Sequence, residues 1–177
     1  MTDKEKLIQD TLQFCSKDAM NIEGLDREAI EELVEKGVIT MPEDVMALHL
    51  DLVMKPGPYE KFKTSNIPII YESVERAKKE AKPANILMAL CIPGVTLEIA
   101  KKLVDHFGSA FYAVAVDYFK LKEVVGCDVA YEIVEWYMNE DNQNVTLWHL
   151  RNHGIDLSKE DAEYVARRNE RIRTLEP

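Results

Sequence analysis

Three short stretches carry residue types at spacings on which binding chemistry can be built. They read Ile22-Glu23-Gly24-Leu25-Asp26, Ile92-Pro93-Gly94-Val95-Thr96 and Lys122-Glu123-Val124-Val125-Gly126. In each, a tight turn closes one helical pattern and opens the next, and Ile30, Ala100 or Ala130 lies four positions beyond the fifth turn residue. Gly accepts the positive φ and close backbone approach that such a turn needs. Unpaired N–H groups of the turn and of the following helix then face outward at the positive end of the helix dipole. That surface takes a phosphate oxygen with no basic side chain required. The backbone-binding set predicted from this pattern is Gly24, Leu25, Arg27, Gly94, Val95, Thr96, Gly126 and Cys127, with Lys101 and Lys102 adding charge one turn beyond Gly94.

Other clusters read as structural. His149 and His153 have the i, i+4 spacing of a metal-binding helix face, but no third ligand is nearby, so no metal or cofactor site is expected. Glu31, Glu32 and Glu35, like Glu132 and Glu135, read as solvated helix faces rather than acid–base pairs. Trp136, Tyr137 and Trp148 are able to stack on bases, yet their helical spacing makes them core anchors. Arg167, Arg168, Arg171 and Arg173 form the one basic cluster. Cys15, Cys91 and Cys127 show no CxxC spacing and read as reduced, largely buried thiols.

The elements that must position these turns are helices. Apolar residues at helix-face spacing, with caps and breakers, predict helices over residues 4–14, 27–36, 42–48, 68–81, 84–91, 97–107, 112–118, 128–138, 144–152 and 159–171. Their inner faces predict a core of Ile30, Leu33, Val34, Leu87, Leu90, Leu103, Val104, Phe107, Ile133, Val134 and Trp136. No period-2 strand pattern stands out, so the fold class is all-α. No apolar run reaches the ~20 residues that cross a bilayer, and the charged start Met1-Thr2-Asp3-Lys4 is no secretory leader. No membrane partner and a cytoplasmic location are the expectation.

Charge argues against a simple polyanion binder. The net charge is −10, residues 1–80 carry 11 basic and 17 acidic side chains, residues 81–157 carry 6 and 10, and residues 158–177 carry 5 of each. Any contact with nucleic acid must therefore be local, made by backbone amides and a few cations.

The run Cys15-Ser16-Lys17-Asp18-Ala19-Met20-Asn21-Ile22-Glu23-Gly24-Leu25 resembles the stretch that follows the zinc finger of NAD-dependent DNA ligases. Gly37-Val38-Ile39, Leu90-Cys91-Ile92, His106-Phe107-Gly108-Ser109 and Val125-Gly126 follow in the family's order and approximate spacing, so the resemblance covers residues 7–155. It implies tandem helix-hairpin-helix repeats, a non-catalytic region that helps such ligases encircle nicked DNA and contact its backbone. On this reading residues 1–80 hold the first pair of motifs, 81–157 the second pair, and 158–177 a C-terminal helix or tail.

The departures matter too. The nucleotidyltransferase domain with its Lys-x-Asp-Gly motif, the zinc-finger cysteines and a BRCT domain are absent, so the chain is not expected to be an enzyme by itself. The second hairpin aligns with Phe62-Lys63-Thr64-Ser65-Asn66-Ile67, which has no Gly, behind an added Pro56-Gly57-Pro58. Asp26 stands where the family has Gly, and Val124 at the fourth hairpin's first Gly position. The expected function is sequence-independent binding to the backbone of double-stranded or nicked DNA, with a weakened grip, in repair or replication. The alternative is an acidic protein-interaction scaffold that kept the fold and largely lost DNA.

Overall fold

The computed structural model describes residues 2–54, 57–139, 142, 152, 154 and 155, and among them the chain is helical with no strand. The α-helices are α1 (Asp3–Cys15), α2 (Arg27–Glu35), α3 (Leu48–Met54), α4 (Ile67–Glu80), α5 (Pro83–Ala89), α6 (Leu97–Phe107), α7 (Ala110–Val114), α8 (Tyr118–Val125) and α9 (Cys127–Met138). Short 3-10 turns, Pro42–Met46 and Thr64–Asn66, precede α3 and α4. None of these helices is long and apolar enough to cross a membrane. The expected helices over residues 144–152 and 159–171 lie outside the described residues, apart from Asn152.

Caps explain where the elements begin. Oxygens of Thr2, Asp26, Thr96, Ser109 and Asp117 accept backbone N–H groups of Glu5, Ala29, Ile99, Tyr112 and Lys120, at the starts of α1, α2, α6, α7 and α8. Two of these caps correct the expected helix over 112–118. Ser109 starts α7 earlier, and Asp117 opens α8 afresh after α7 has stopped at Val114. The expected helix over 42–48 is instead a 3-10 turn followed by α3. Asp44 bends the chain there by accepting from Thr40 N–H, Thr40 Oγ1 and Met41 N–H at 2.7, 2.9 and 3.0 Å.

Consecutive helices pair, α1 with α2, α3 with α4, α5 with α6 and α8 with α9, and contacts of α1 with α5 join the two halves of the chain. Ile30, Leu33, Leu87, Leu90, Leu103, Phe107 and Ile133 are buried as expected. Val34, Val104, Val134 and Trp136 are only partly buried and pack along the flank of the core. Cys15 is buried, and loss of solvent pushes its thiol up to about 12. Cys91 is half-buried, while Cys127 is exposed at the start of α9, against the expectation of burial.

The segment between α3 and α4 is strapped to α2. The Glu32 carboxylate accepts from the amides of Glu60, Lys61 and Phe62 at 2.7, 2.8 and 2.8 Å. Lys36 bonds to the Pro58 carbonyl and lies over the Tyr59 ring at 4.9 Å, while Phe62 is buried. Desolvation raises the affinity of Glu32 for a proton, but the three amides and Lys36 outweigh it and hold the carboxyl at about 2.

Two outcomes follow. Leu103 is fully buried in α6, so Leu103→Ala is expected to cost about 2–5 kcal/mol, read as a lower urea midpoint. Because folding depresses the Glu32 carboxyl, its contribution is complete above its ordinary value of 4.5 and disappears as pH falls toward about 2. The melting-temperature gap between wild type and Glu32→Gln should be widest near neutrality and close across that acid range.

Candidate nucleic-acid interface

The turn between α1 and α2 and the turn between α5 and α6 share an unusual backbone. Each places positive φ at two positions three residues apart, Asn21 (50°) with Gly24 (91°) and Cys91 (53°) with Gly94 (74°). A non-Gly residue in this region is uncommon and marks a tightly specified turn. Sequence reasoning singled out the glycines and missed Asn21 and Cys91, although Asn is the side chain best suited to that region.

Each glycine sits against the start of another helix. A Cβ on Gly24 would lie 3.1 Å from Ile70 Cγ1 in α4, and one on Gly94 would lie 3.6 Å from Val129 Cγ2 in α9. The first turn therefore meets the start of α4, and the turn at Gly94 meets the first turn of α9. Of the predicted residues at this junction, Gly94 is in contact with α9, through Val129, while Gly126 has nothing within 4 Å of a Cβ position. Gly24, Leu25 and Arg27 belong to the other junction.

At the first junction the chain supplies its own partners. Ser73 Oγ accepts the Glu23 N–H at 3.2 Å, Asn66 Nδ2 donates to the Gly24 carbonyl at 2.9 Å, and Arg76 donates to the Asn21 carbonyl at 2.8 Å. Asp26 Oδ1 takes the Ala29 N–H at 2.8 Å. Leu25 packs half-buried against the core, and Arg27 is held by Glu5 and Glu31 at 2.6 and 2.8 Å. The start of α4, the aligned second hairpin, has no side-chain cap, and Pro68 in its first turn has no N–H to offer.

The second junction is more open. Val95 is buried and its N–H is used on the Ile92 carbonyl. Thr96 Oγ1 takes the Ile99 N–H at 3.4 Å, leaving the Leu97 and Glu98 amides with no partner among the described residues. Gly126 (φ 84°) starts α9 with no side-chain cap, so the amides of Cys127, Asp128 and Val129 are likewise unpartnered there. Each of these helix starts lies within three residues of the Gly94–Val129 contact and carries open amides, and open first-turn amides suit oxyanions. Lys101 is exposed and has no ion pair among the described residues, whereas Lys102 is bound to Glu98 at 2.9 Å. Glu98 and Asp128 place carboxylates at the same two helix starts.

The remaining candidates behave as neutral structure. Glu31 and Glu35 sit in ion pairs with Arg27 and Lys4, and Glu135 accepts from the Tyr131 hydroxyl at 2.7 Å. His49 is buried edge-on against Tyr71, and burial lowers its affinity for a proton. Trp136 and Tyr137 pack against the core. No group of His, Cys, Asp or Glu among the described residues is arranged to hold a metal ion. His149, His153, Trp148 and the four C-terminal arginines lie outside the described residues.

Comparison with known proteins agrees in one direction. The chain is 31% identical over 169 residues to a DNA ligase of Pseudomonas paraeruginosa, covering 91% of this chain and 20% of the ligase. It is 31% identical over 170 residues to a DNA ligase of Pseudomonas putida, covering 91% of this chain and 21% of that relative. A DNA ligase of Thermotoga neapolitana is 30% identical over 154 residues, covering 85% of this chain and 22% of the ligase. The chain thus spans about a fifth of the length of the curated relatives it matches, and it is related to that part of DNA ligases. No family model matches it.

The two junctions should respond differently to a methyl group. Gly24→Ala places an L-residue at positive φ and drives its Cβ to 3.1 Å from Ile70 Cγ1, whereas Gly94→Ala carries the backbone cost alone, since its Cβ would meet only Val129 Cγ2 at an ordinary 3.6 Å. The backbone cost is about 1–2 kcal/mol. Chemical denaturation should show Gly24→Ala as the more damaging of the two.

Proposed function

We propose that this chain is a non-catalytic module of tandem helix-hairpin-helix type that holds the DNA backbone without reading its sequence. The observation that carries the reading is the contact of the Gly94 turn with Val129 in the first turn of α9, beside which five first-turn amides of α6 and α9 lack partners among the described residues. Backbone amides contact phosphate oxygens that are the same at every base pair, so such contacts position a duplex without specifying sequence. Kinship with a region of DNA ligases supports DNA as the polyanion and supports a role in repair or replication. Lys101 would add charge beside the amides, while Lys102 offsets the Glu98 carboxylate there.

A second reading, an acidic protein-interaction scaffold, is favoured by one specific feature. At the first junction Ser73 takes the Glu23 amide and Asp26 the Ala29 amide, and the chain carries −10 net charge. On that reading the ancestral grip on DNA has been traded for contacts with a protein.

Fluorescence anisotropy with nicked duplex DNA at several salt concentrations separates the two. Binding should be insensitive to sequence, with a shallow salt slope on the order of one to four released counterions. Gly94→Val should abolish it, Lys101→Glu with Lys102→Glu should weaken it, and Asp26→Gly should strengthen it by removing a carboxylate and freeing the Ala29 amide. The expected fourth hairpin at residues 122–125 is the end of α8, so Val124→Gly would only weaken that helix. No affinity at low salt, even for the Asp26→Gly variant, would leave the scaffold reading standing.

A further inference from the structure

The strap between α3 and α4 has a feature that packing does not demand. Three consecutive amides, those of Glu60, Lys61 and Phe62, turn toward one carboxylate, with both Glu32 oxygens engaged at 2.7–2.8 Å. Consecutive N–H groups converging on one point form a concavity for anions, a backbone nest. The carboxylate in it comes from a helix 28 to 30 residues earlier in the chain, is almost fully buried, and is backed by Lys36 Nζ at 3.3 Å. Around it, Tyr59 and Phe62 meet edge to face with ring centres 5.8 Å apart. The other charged groups nearby are Glu35 on α2 and Lys61 on the strap itself, which act on one another through space.

We infer that residues 60–62 form an oxyanion-binding nest whose resident ligand is the Glu32 carboxylate, so that the chain plugs its own anion site and the nest takes a small carboxylate or inorganic phosphate when Glu32 is removed. The plug has two consequences. It latches the strap to α2, and through Asn66, Ser73 and Arg76 it sets α4 against the first turn, since those side chains hold Gly24, Glu23 and Asn21. It also withdraws these amides from any nucleic acid, because a phosphate would have to displace a covalently tethered and buried competitor. A tethered ligand has a high effective concentration, which a free anion does not match.

The test contains no DNA, so failure of the proposed DNA-binding reading leaves it intact. The melting temperatures of Glu32→Ala, Glu32→Gln and wild type are measured in sodium acetate, sodium phosphate and sodium chloride at matched ionic strength. Glu32→Ala should melt lower than wild type and recover progressively with acetate or phosphate beyond the chloride control, as an anion that binds only the folded state must produce. Wild type should show no acetate-specific rise, because its nest is full. Equal responses of Glu32→Ala to acetate, phosphate and chloride would overturn the inference, as would an acetate-specific rise in wild type. If Glu32→Ala does not fold, hydrogen exchange on the wild-type protein decides. Amides 60, 61 and 62 should be protected as a group relative to Gly57 and Tyr59, and exchange at open-loop rates would refute the nest.

Discussion

Every helix leaves its first amides without partners, and in a chain built from short helices that constraint recurs every dozen residues or so. Which oxygen answers each set of amides decides what each turn of this molecule is for. Asp26 and Ser73 answer at the first junction, so that turn is a closed structural joint. Glu32 answers for the strap, reaching it from α2. Ser109 and Asp117 answer for α7 and α8, and they fix where those helices begin. At α6 Thr96 answers for one amide only, and at α9 Gly126 answers for none. What sets α6 and α9 apart is that both begin within three residues of the Gly94–Val129 contact, and the proposed function rests on that proximity.

Close approach is the complementary constraint. A turn can be pressed against another helix only where it lacks a side chain, and Gly24 and Gly94 fill that role at the two junctions. The contacts are not equivalent. Gly24 is tight against Ile70 and surrounded by polar side chains of α4 that bond its neighbours, while Gly94 touches Val129 alone. The first junction is thus cross-linked by hydrogen bonds from α4, and the second is marked by an apolar contact.

Much of this was legible in the residues. The apolar periodicity located α1, α2, α4, α5, α6 and α9 closely, because those helices each bury one clear stripe, as Ile70, Val74 and Ala77 do for α4. The region from Ala110 to Val125 was harder. There a five-residue and an eight-residue helix adjoin, and only the caps Ser109 and Asp117 mark the break. Helix α3 was hidden for another reason. Leu50, Val53 and Met54 form a regular stripe that is exposed, so its pattern pointed to no core partner. The glycines of the candidate interface could be read from type and spacing. Their partners could not, because Val129, Ile70, Asn66 and Ser73 meet them only through the tertiary fold. Glu32 shows the same limit, since within α2 it is one glutamate among several on a charged helix face.

The acidity of the chain then needs a local accounting. At physiological salt, charges separated by more than about 8 Å of solvent are largely screened. The carboxylates of Glu5, Glu23, Glu31 and Glu35 are each engaged by Arg27, Arg76 or Lys4. What a phosphate at the α6–α9 junction would meet is the local set of amides, with Glu98 already neutralised by Lys102, Lys101 unpaired among the described residues, and Asp128 opposing. One exposed carboxylate against several oriented amides and a free lysine is a modest attraction, far from what the total of −10 suggests. Amides bring no counterions to release, so an interface of this kind gains its affinity from hydrogen-bond geometry more than from bulk charge. A protein that holds a polyanion in this way can stay acidic over the rest of its surface, because the repulsion it must overcome is set within one Debye length of the two helix starts.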